Sequence, residues 1–241
     1  MCGRYTTEIE TDERELFRML ARAESNTPPA LRALTEKQTA ERISGEVFPS
    51  DAAAVLAARN PAHPADRPLP THAAAQDGWQ SDVDVYRFRW GYPVEINGKK
   101  RLLINARQER AAEKALFADC LLYNRCVIPT AGFFEWMHVN GKADPKQKFR
   151  FNLSGTGLVF LAGLYRDSIT GFQPDTEEAG TSGYREFVIL TREANASMAP
   201  IHSRMPVILR AEHVEEYLAD TKSAMRLLEE TPPMLVKRLV S

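Results

Sequence analysis

The chain has 241 residues, of which 44% are apolar and 26% charged, and a formal net charge of −1. That balance excludes a chain disordered throughout, since disordered chains are poorer in apolar residues and richer in net charge. No apolar run approaches the roughly 18 residues that cross a bilayer as a helix, so no membrane span is expected.

The opening Met1-Cys2-Gly3-Arg4-Tyr5-Thr6 has no apolar h-region, so no signal peptide is expected and the cytoplasm is the default compartment. Thr11 reads as an N-cap, and Leu16, Phe17, Leu20 and Ala21 recur with helical period. A weaker helical stretch covers 34–43. Val47-Phe48-Pro49-Ser50-Asp51 reads as a turn, and 52–58 is a short apolar run that fits strand or helix. Residues 60–70 hold four prolines and read as a loop. Residues 85–90 alternate as a strand, and Asn97-Gly98 predicts a hairpin turn leading to a strand at 102–104. Helix is predicted over 106–118. Strands are predicted at 126–129, 132–136, 149–153, 158–165, 187–191 and 206–209, with Asn140-Gly141 as a further hairpin signal. Residues 167–183 read as a long loop. Helices are predicted near Ala194 and over 212–230. Strands and helices mix without βαβ regularity, which predicts one α+β domain over 1–241 with a mostly antiparallel, barrel-like core and flanking helices.

Charge is unevenly spread. Residues 85–150 hold thirteen Lys/Arg against six Asp/Glu, a net of +7, and the remainder sums to −8. A basic middle fits a local anionic partner, and it equally fits solvated surface charge.

Cys2 is the most informative residue. Removal of Met1 before so small a second residue would leave an N-terminal cysteine bearing both an α-amine and a thiol. Such a 1,2-aminothiol traps aldehydes: the amine forms an imine, and the thiol closes a thiazolidine. It also suits an N-terminal nucleophile, or Cys2 is simply a frayed terminus. Cys2, Cys120 and Cys126 make no CxxC pair or zinc-ligand spacing, so neither a disulfide scaffold nor a metal is expected. Asn105 follows an apolar strand and sits where an N-cap would; its side chain could instead orient a reacting group, with Arg107 beside it to hold a phosphate. Glu135 lies in the aromatic run Gly132-Phe133-Phe134-Glu135-Trp136, surroundings that favour general acid–base work or a buried ion pair. His202 and Arg204, two apart before a strand, point to one face, with a proton carrier beside an anion binder or a purely structural histidine.

Taken in order, Met1-Cys2-Gly3-Arg4-Tyr5, Trp90-Gly91, Asn105-Ala106-Arg107-Gln108-Glu109, residues 129–136 and His202-Ser203-Arg204-Met205-Pro206 resemble the SRAP (SOS response-associated peptidase) family. The resemblance implies an α+β fold with a barrel-like core and a basic groove. It implies a sensor of abasic sites in single-stranded DNA that crosslinks to the open-ring aldehyde through the N-terminal cysteine as a thiazolidine. The family's catalytic residues fall on Cys2, Asn105, Glu135 and His202. Its phosphate-holding arginines match Arg4, Arg107 and Arg204, and Pro49 matches a proline near the bases flanking the lesion. No cofactor or membrane is implied, and a monomer is expected. The chain departs from the family pattern at Glu46, where an asparagine is common. It also lacks tryptophans in 92–103, which leaves base stacking to Trp90, Tyr92 or Phe133. Two other activities fit the same residues: an N-terminal-nucleophile cysteine peptidase, acting on other chains or only on itself, and a non-covalent single-strand binder.

Overall fold

Apolar runs with alternating burial become strands in a computed structural model that describes residues 2–8, 18, 45–58, 83–138, 146–155, 157–168 and 184–240. The predicted helix at 34–43, the predicted helix at 11–21 apart from the helical Arg18, the loop at 60–70, the turn at 140–141 and the loop at 167–183 beyond its first two residues lie outside the described residues; Asp167 itself ends a strand. The ambiguous alanine-rich run is a strand, β3 (Ala52–Ala58), paired antiparallel along its whole length with β4 (Val83–Trp90). The other edge of β3 takes β8 (Arg125–Thr130), which pairs with β11 (Val159–Asp167), which pairs with β12 (Arg185–Glu193). Parallel pairing of β12 with β4, through Glu186↔Arg89 and Phe187↔Trp90, closes these five strands into a ring. Beyond β4, the same edge of β12 carries β7 (Asn105–Arg107), also parallel; the opposite edge carries β13 (Arg204–Pro206) beyond β11. A second sheet runs in the order β15 (Val236–Val240), β10 (Lys146–Asn152), β9 (Gly132–His138), β1 (Tyr5–Thr6), β2 (Glu46–Val47). The hairpin of β5 (Tyr92–Ile96) and β6 (Lys99–Leu103) turns at Asn97 (φ 52°) and Gly98 (φ 71°), the positive-φ pair that Asn-Gly supplies.

The ring strands are buried on both faces. One face sends Leu56, Val85, Val127 and Val188 toward the helices; the other sends Val55, Phe88, Ile128 and Phe187 against Tyr5, Phe133 and Phe151. Four helices are described: α1 (Gln108–Ala111), α2 (Ala115–Tyr123), α3 (Val214–Ala219) and α4 (Thr221–Glu229).

Three predicted elements differ from the structure. The helix over 106–118 is strand β7 followed by two short helices, because β12 claims the backbone of 105–107. No helix forms near Ala194: the Asn195 carboxamide accepts the Ser197 N–H at 3.1 Å, a local bond that competes with helix. The helix over 212–230 starts as a 3₁₀ turn and breaks at Asp220, which caps α4 by accepting the Ser223 N–H at 2.6 Å.

Arg125 ties helices to ring. Its buried guanidinium donates to the carbonyls of Leu121 (3.1 Å) and Leu122 (2.6 Å) in α2, and of Tyr217 (2.7 Å) and Leu218 (3.2 Å) in α3. It also donates to the Thr221 hydroxyl at 3.0 Å. The cation thus satisfies the last carbonyls of two helices, where their dipoles favour positive charge.

Candidate functional site

The N-terminal segment is threaded between strands. β1 pairs with β2 on one side (Tyr5↔Val47) and β9 on the other (Tyr5↔Phe133). Phe134 N–H donates to the Arg4 carbonyl at 2.9 Å, and the Thr130 hydroxyl donates to the Thr6 carbonyl at 2.6 Å. Gly132 permits this crossing: its φ is 148°, and a Cβ there would lie 2.7 Å from the Phe151 carbonyl. Cys2 is consequently fully buried, with its thiol 3.7 Å from the Arg4 carbonyl. Burial, reinforced by the Glu135 carboxylate, pushes that thiol well above its ordinary range. It is therefore protonated at neutral pH and needs a proton acceptor before it can act as a nucleophile.

Asn105 is not an N-cap. It lies in β7, held opposite Ile189, and the first helical residue comes three positions later. Its amide donates to the Cys2 carbonyl at 2.9 Å across 103 residues of chain. Its Oδ1 is buried and has no hydrogen-bond partner among the described residues. Glu135, on β9, is buried and lies close enough to bear electrostatically on Cys2. The structure thus brings together Cys2, three residues before β1, Asn105 of β7 and Glu135 of β9.

Arg204 opens β13, and His202 lies two residues before it. His202 Nδ1 accepts the Arg204 N–H at 2.9 Å, the shorter of two contacts with Arg204; the carbonyl is 3.2 Å away. The Arg204 guanidinium grips the Glu109 carboxylate with two bonds of 2.7 and 2.8 Å, and that contact holds Glu109 below the usual carboxylate range. Arg204 is thus already committed to an anion of its own chain. Arg107 is exposed at the end of β7. Arg4 lies over the rings of Phe48 (4.3 Å) and Trp136 (5.0 Å) and pairs with Glu46 at 3.3 Å. Pro49 is half-buried in the turn between β2 and β3, where Ser50 takes φ 78° and the Asp51 carboxylate accepts the Phe48 N–H at 2.9 Å.

Trp90 does not face a ligand. It is fully buried, donates its indole N–H to the Ile104 carbonyl at 2.9 Å, and packs 5.1 Å from Tyr5 and 6.2 Å from Phe187. Tyr92 and Phe133 are likewise fully buried, so none of the three offers a stacking surface. Trp136 is a half-buried aromatic on this sheet, paired in register with Lys148. Period-two alternation across Glu135 carried that signal, since it turns Trp136 to the opposite face. Among the described residues no cluster of three His, Cys, Asp or Glu side chains is arranged to hold a metal.

Three comparisons bear on this arrangement. The chain is 37% identical over 151 residues to the abasic site processing protein YoaM of Bacillus subtilis, covering 61% of this chain and 60% of that one. It is 30% identical over 129 residues to the abasic site processing protein YedK of Escherichia coli, covering 54% and 52%. The match thus spans about half to three-fifths of these relatives. A crystal structure of a Bordetella bronchiseptica protein superposes with a TM-score of 0.66 over the full length of both chains, at 19% identity, which shows a shared fold. The family model described as SOS response associated peptidase (SRAP) matches residues 1–240, and the chain belongs to that family.

Proposed function

We propose that this chain processes abasic sites in single-stranded DNA by forming a thiazolidine crosslink through Cys2. The observation that carries this is the convergence of Cys2, Asn105 and Glu135 in one buried site, in a chain whose relatives YoaM and YedK are named abasic site processing proteins. Loss of Met1 frees the Cys2 α-amine. The amine nitrogen adds to the aldehyde carbon of the open-ring sugar, giving a carbinolamine. Glu135 carries the carbinolamine nitrogen's proton to the hydroxyl, which leaves as water, giving an imine. The thiol sulfur then adds to the imine carbon; its proton passes through Glu135 to the imine nitrogen, and the five-membered ring closes with no net oxidation. Asn105 holds the Cys2 carbonyl, and its Oδ1 is left to accept an N–H from the freed amine. His202 assists ring opening by hydrogen-bonding the sugar ring oxygen while the C1′ hydroxyl proton passes to that oxygen through water. Arg107 meets a backbone phosphate directly, Arg4 and Arg204 do so by exchanging their carboxylates, and Pro49 abuts a flanking base. The protein acts as a monomer, without cofactor, on DNA in the cytoplasm.

The test is denaturing gel electrophoresis of the processed chain with a single-stranded oligonucleotide carrying one abasic site. A heat-stable shifted band is expected with that strand, none with an intact strand, and none with Cys2→Ala. A Cys2→Ala chain that crosslinks as well as the parent refutes the mechanism. No band from a chain shown by intact mass to lack Met1 does so too, and leaves N-terminal-nucleophile hydrolysis in its place.

A further inference from the structure

The five-stranded sheet has an outer face as well as a buried one. Alternation sends Tyr5, Phe133 and Glu135 inward, and Arg4, Phe134 and Trp136 outward. Register places Lys148 opposite Trp136, and Glu46 opposite Thr6, on that outer face. Two cations rest there on one aromatic floor. Arg4 lies 4.3 Å from the Phe48 ring centre and 5.0 Å from that of Trp136; the Lys148 ammonium lies 4.0 Å from that of Phe134 and 5.9 Å from that of Trp136. Glu46 bridges them, with Oε2 3.3 Å from the Arg4 guanidinium and Oε1 accepting from Lys148. The Arg4, Glu46 and Lys148 side chains are 34%, 28% and 20% exposed, so solutes reach them.

We propose that Glu46 is a built-in substitute for a DNA backbone phosphate, one that a bound strand displaces, and that it thereby sets the preference for lesion-bearing over intact strands. This rests on the DNA function proposed above. A carboxylate offers two oxygens to two cations, as the non-bridging oxygens of a phosphodiester do. Arg4 also joins this face to the reactive centre, since its carbonyl takes the Cys2 thiol and its side chain lies outside. With Glu46 in place the cluster carries a net +1, and without it +2. Entry of a phosphate exchanges one anion for another, so the cluster adds little to non-covalent affinity. An intact strand has only non-covalent affinity and is released. A strand with an aldehyde is kept by the covalent bond, which the exchange does not weaken. The carboxylate therefore works against the wrong ligand.

The experiment compares the processed full chain with its Glu46→Gln variant, using fluorescence anisotropy on a labelled intact single-stranded oligonucleotide between about 50 and 200 mM salt. Glu46→Gln is expected to bind about tenfold more tightly at the low-salt end, with a log–log salt slope steeper by about 0.7 for each phosphate gained. Intact strand should then suppress crosslinking of an abasic strand at roughly tenfold lower concentration. Lys148→Gln should weaken binding more in the Glu46→Gln background than in the parent, where Lys148 is already neutralised. Equal binding with an unchanged slope overturns the inference and leaves the DNA function standing. Weaker binding by Glu46→Gln also overturns it, and makes Glu46 a support that positions the cations. If the parent neither binds nor crosslinks any strand, the DNA function fails and the inference falls with it.

Discussion

Replacing Glu135 by glutamine separates two effects that the structure sets against each other. The charge of Glu135 helps keep the Cys2 thiol protonated, so its removal makes thiolate easier to form. The same substitution removes the group proposed to carry protons to the departing hydroxyl and from the thiol. Burial is the larger cause of the raised thiol pKa, and burial survives the substitution. The thiol therefore stays protonated at pH 7 in the variant, and the loss of the proton carrier dominates. Positioned acid–base groups contribute roughly 10²- to 10⁴-fold. With the partial offset, the expected loss lies near the lower end, about 10²-fold in the rate of crosslink formation, or about 2.7 kcal/mol of barrier. The final yield should be unchanged, because the carboxyl group appears in neither the bond formed nor the bond broken. The assay is a time course on denaturing gels with excess protein, repeated from pH 6 to 9. The variant's rate should climb with pH across that range, as hydroxide takes over from the missing base while the thiol remains below its raised pKa. A rate within about threefold of the parent's, with the same pH dependence, would refute the assignment and make Glu135 a structural carboxylate.

Trp90→Phe should lower stability by about 1–3 kcal/mol in urea unfolding, because it leaves a void in a closed core, yet leave intact-strand affinity of the folded protein unchanged. Weakened binding with unaltered stability would return Trp90 to the DNA surface. Arg125→Met should cost about 3–5 kcal/mol, since the carbonyls of Leu121, Tyr217 and Leu218 lose their side-chain donor while Leu122 retains the Thr221 hydroxyl. The urea midpoint should fall by about 1 M or more, and a shift under about 0.3 M would show that the helix ends are satisfied without it.

Strands whose residues alternate or are β-branched were legible in the sequence: β4, β8, β9, β11 and β12 all lie where the pattern put them, and Asn97-Gly98 marked its hairpin. What escaped was structure decided by distant partners. Residues 105–107 have helical composition, but the open edge of β12 recruits them as a strand, and no local pattern records that edge. The Asp220 cap that divides the last helix is a local signal, an acid three residues before a free N–H, and was legible in principle. At the site, Cys2, Asn105, Glu135 and His202 were marked by residue type and order. That Asn105 would grip the Cys2 carbonyl was not, because the contact spans 103 residues. Trp90 was misplaced because a tryptophan beside a basic run fits a stacking surface and a closed core equally well. Only the parallel pairing of β4 with β12 decides for the core.

The threading of β1 between β2 and β9 sets a clock on maturation. Cys2 is covered by partners that come later in the chain: Val47 pairs next to it through Tyr5, Asn105 grips its carbonyl, and Phe134 holds Arg4. A ribosome adding roughly 5–20 residues per second makes Phe134 about 7–26 seconds after Cys2. For that interval the start of the nascent chain has no β9 to dock against and is open to an aminopeptidase. Once β9 pairs, Cys2 itself is fully buried, and trimming ahead of it would slow. Slow trimming would therefore lock a fraction of molecules in a folded but chemically silent form. The active fraction would then depend on the relative rates of trimming and folding as much as on the amount of protein made.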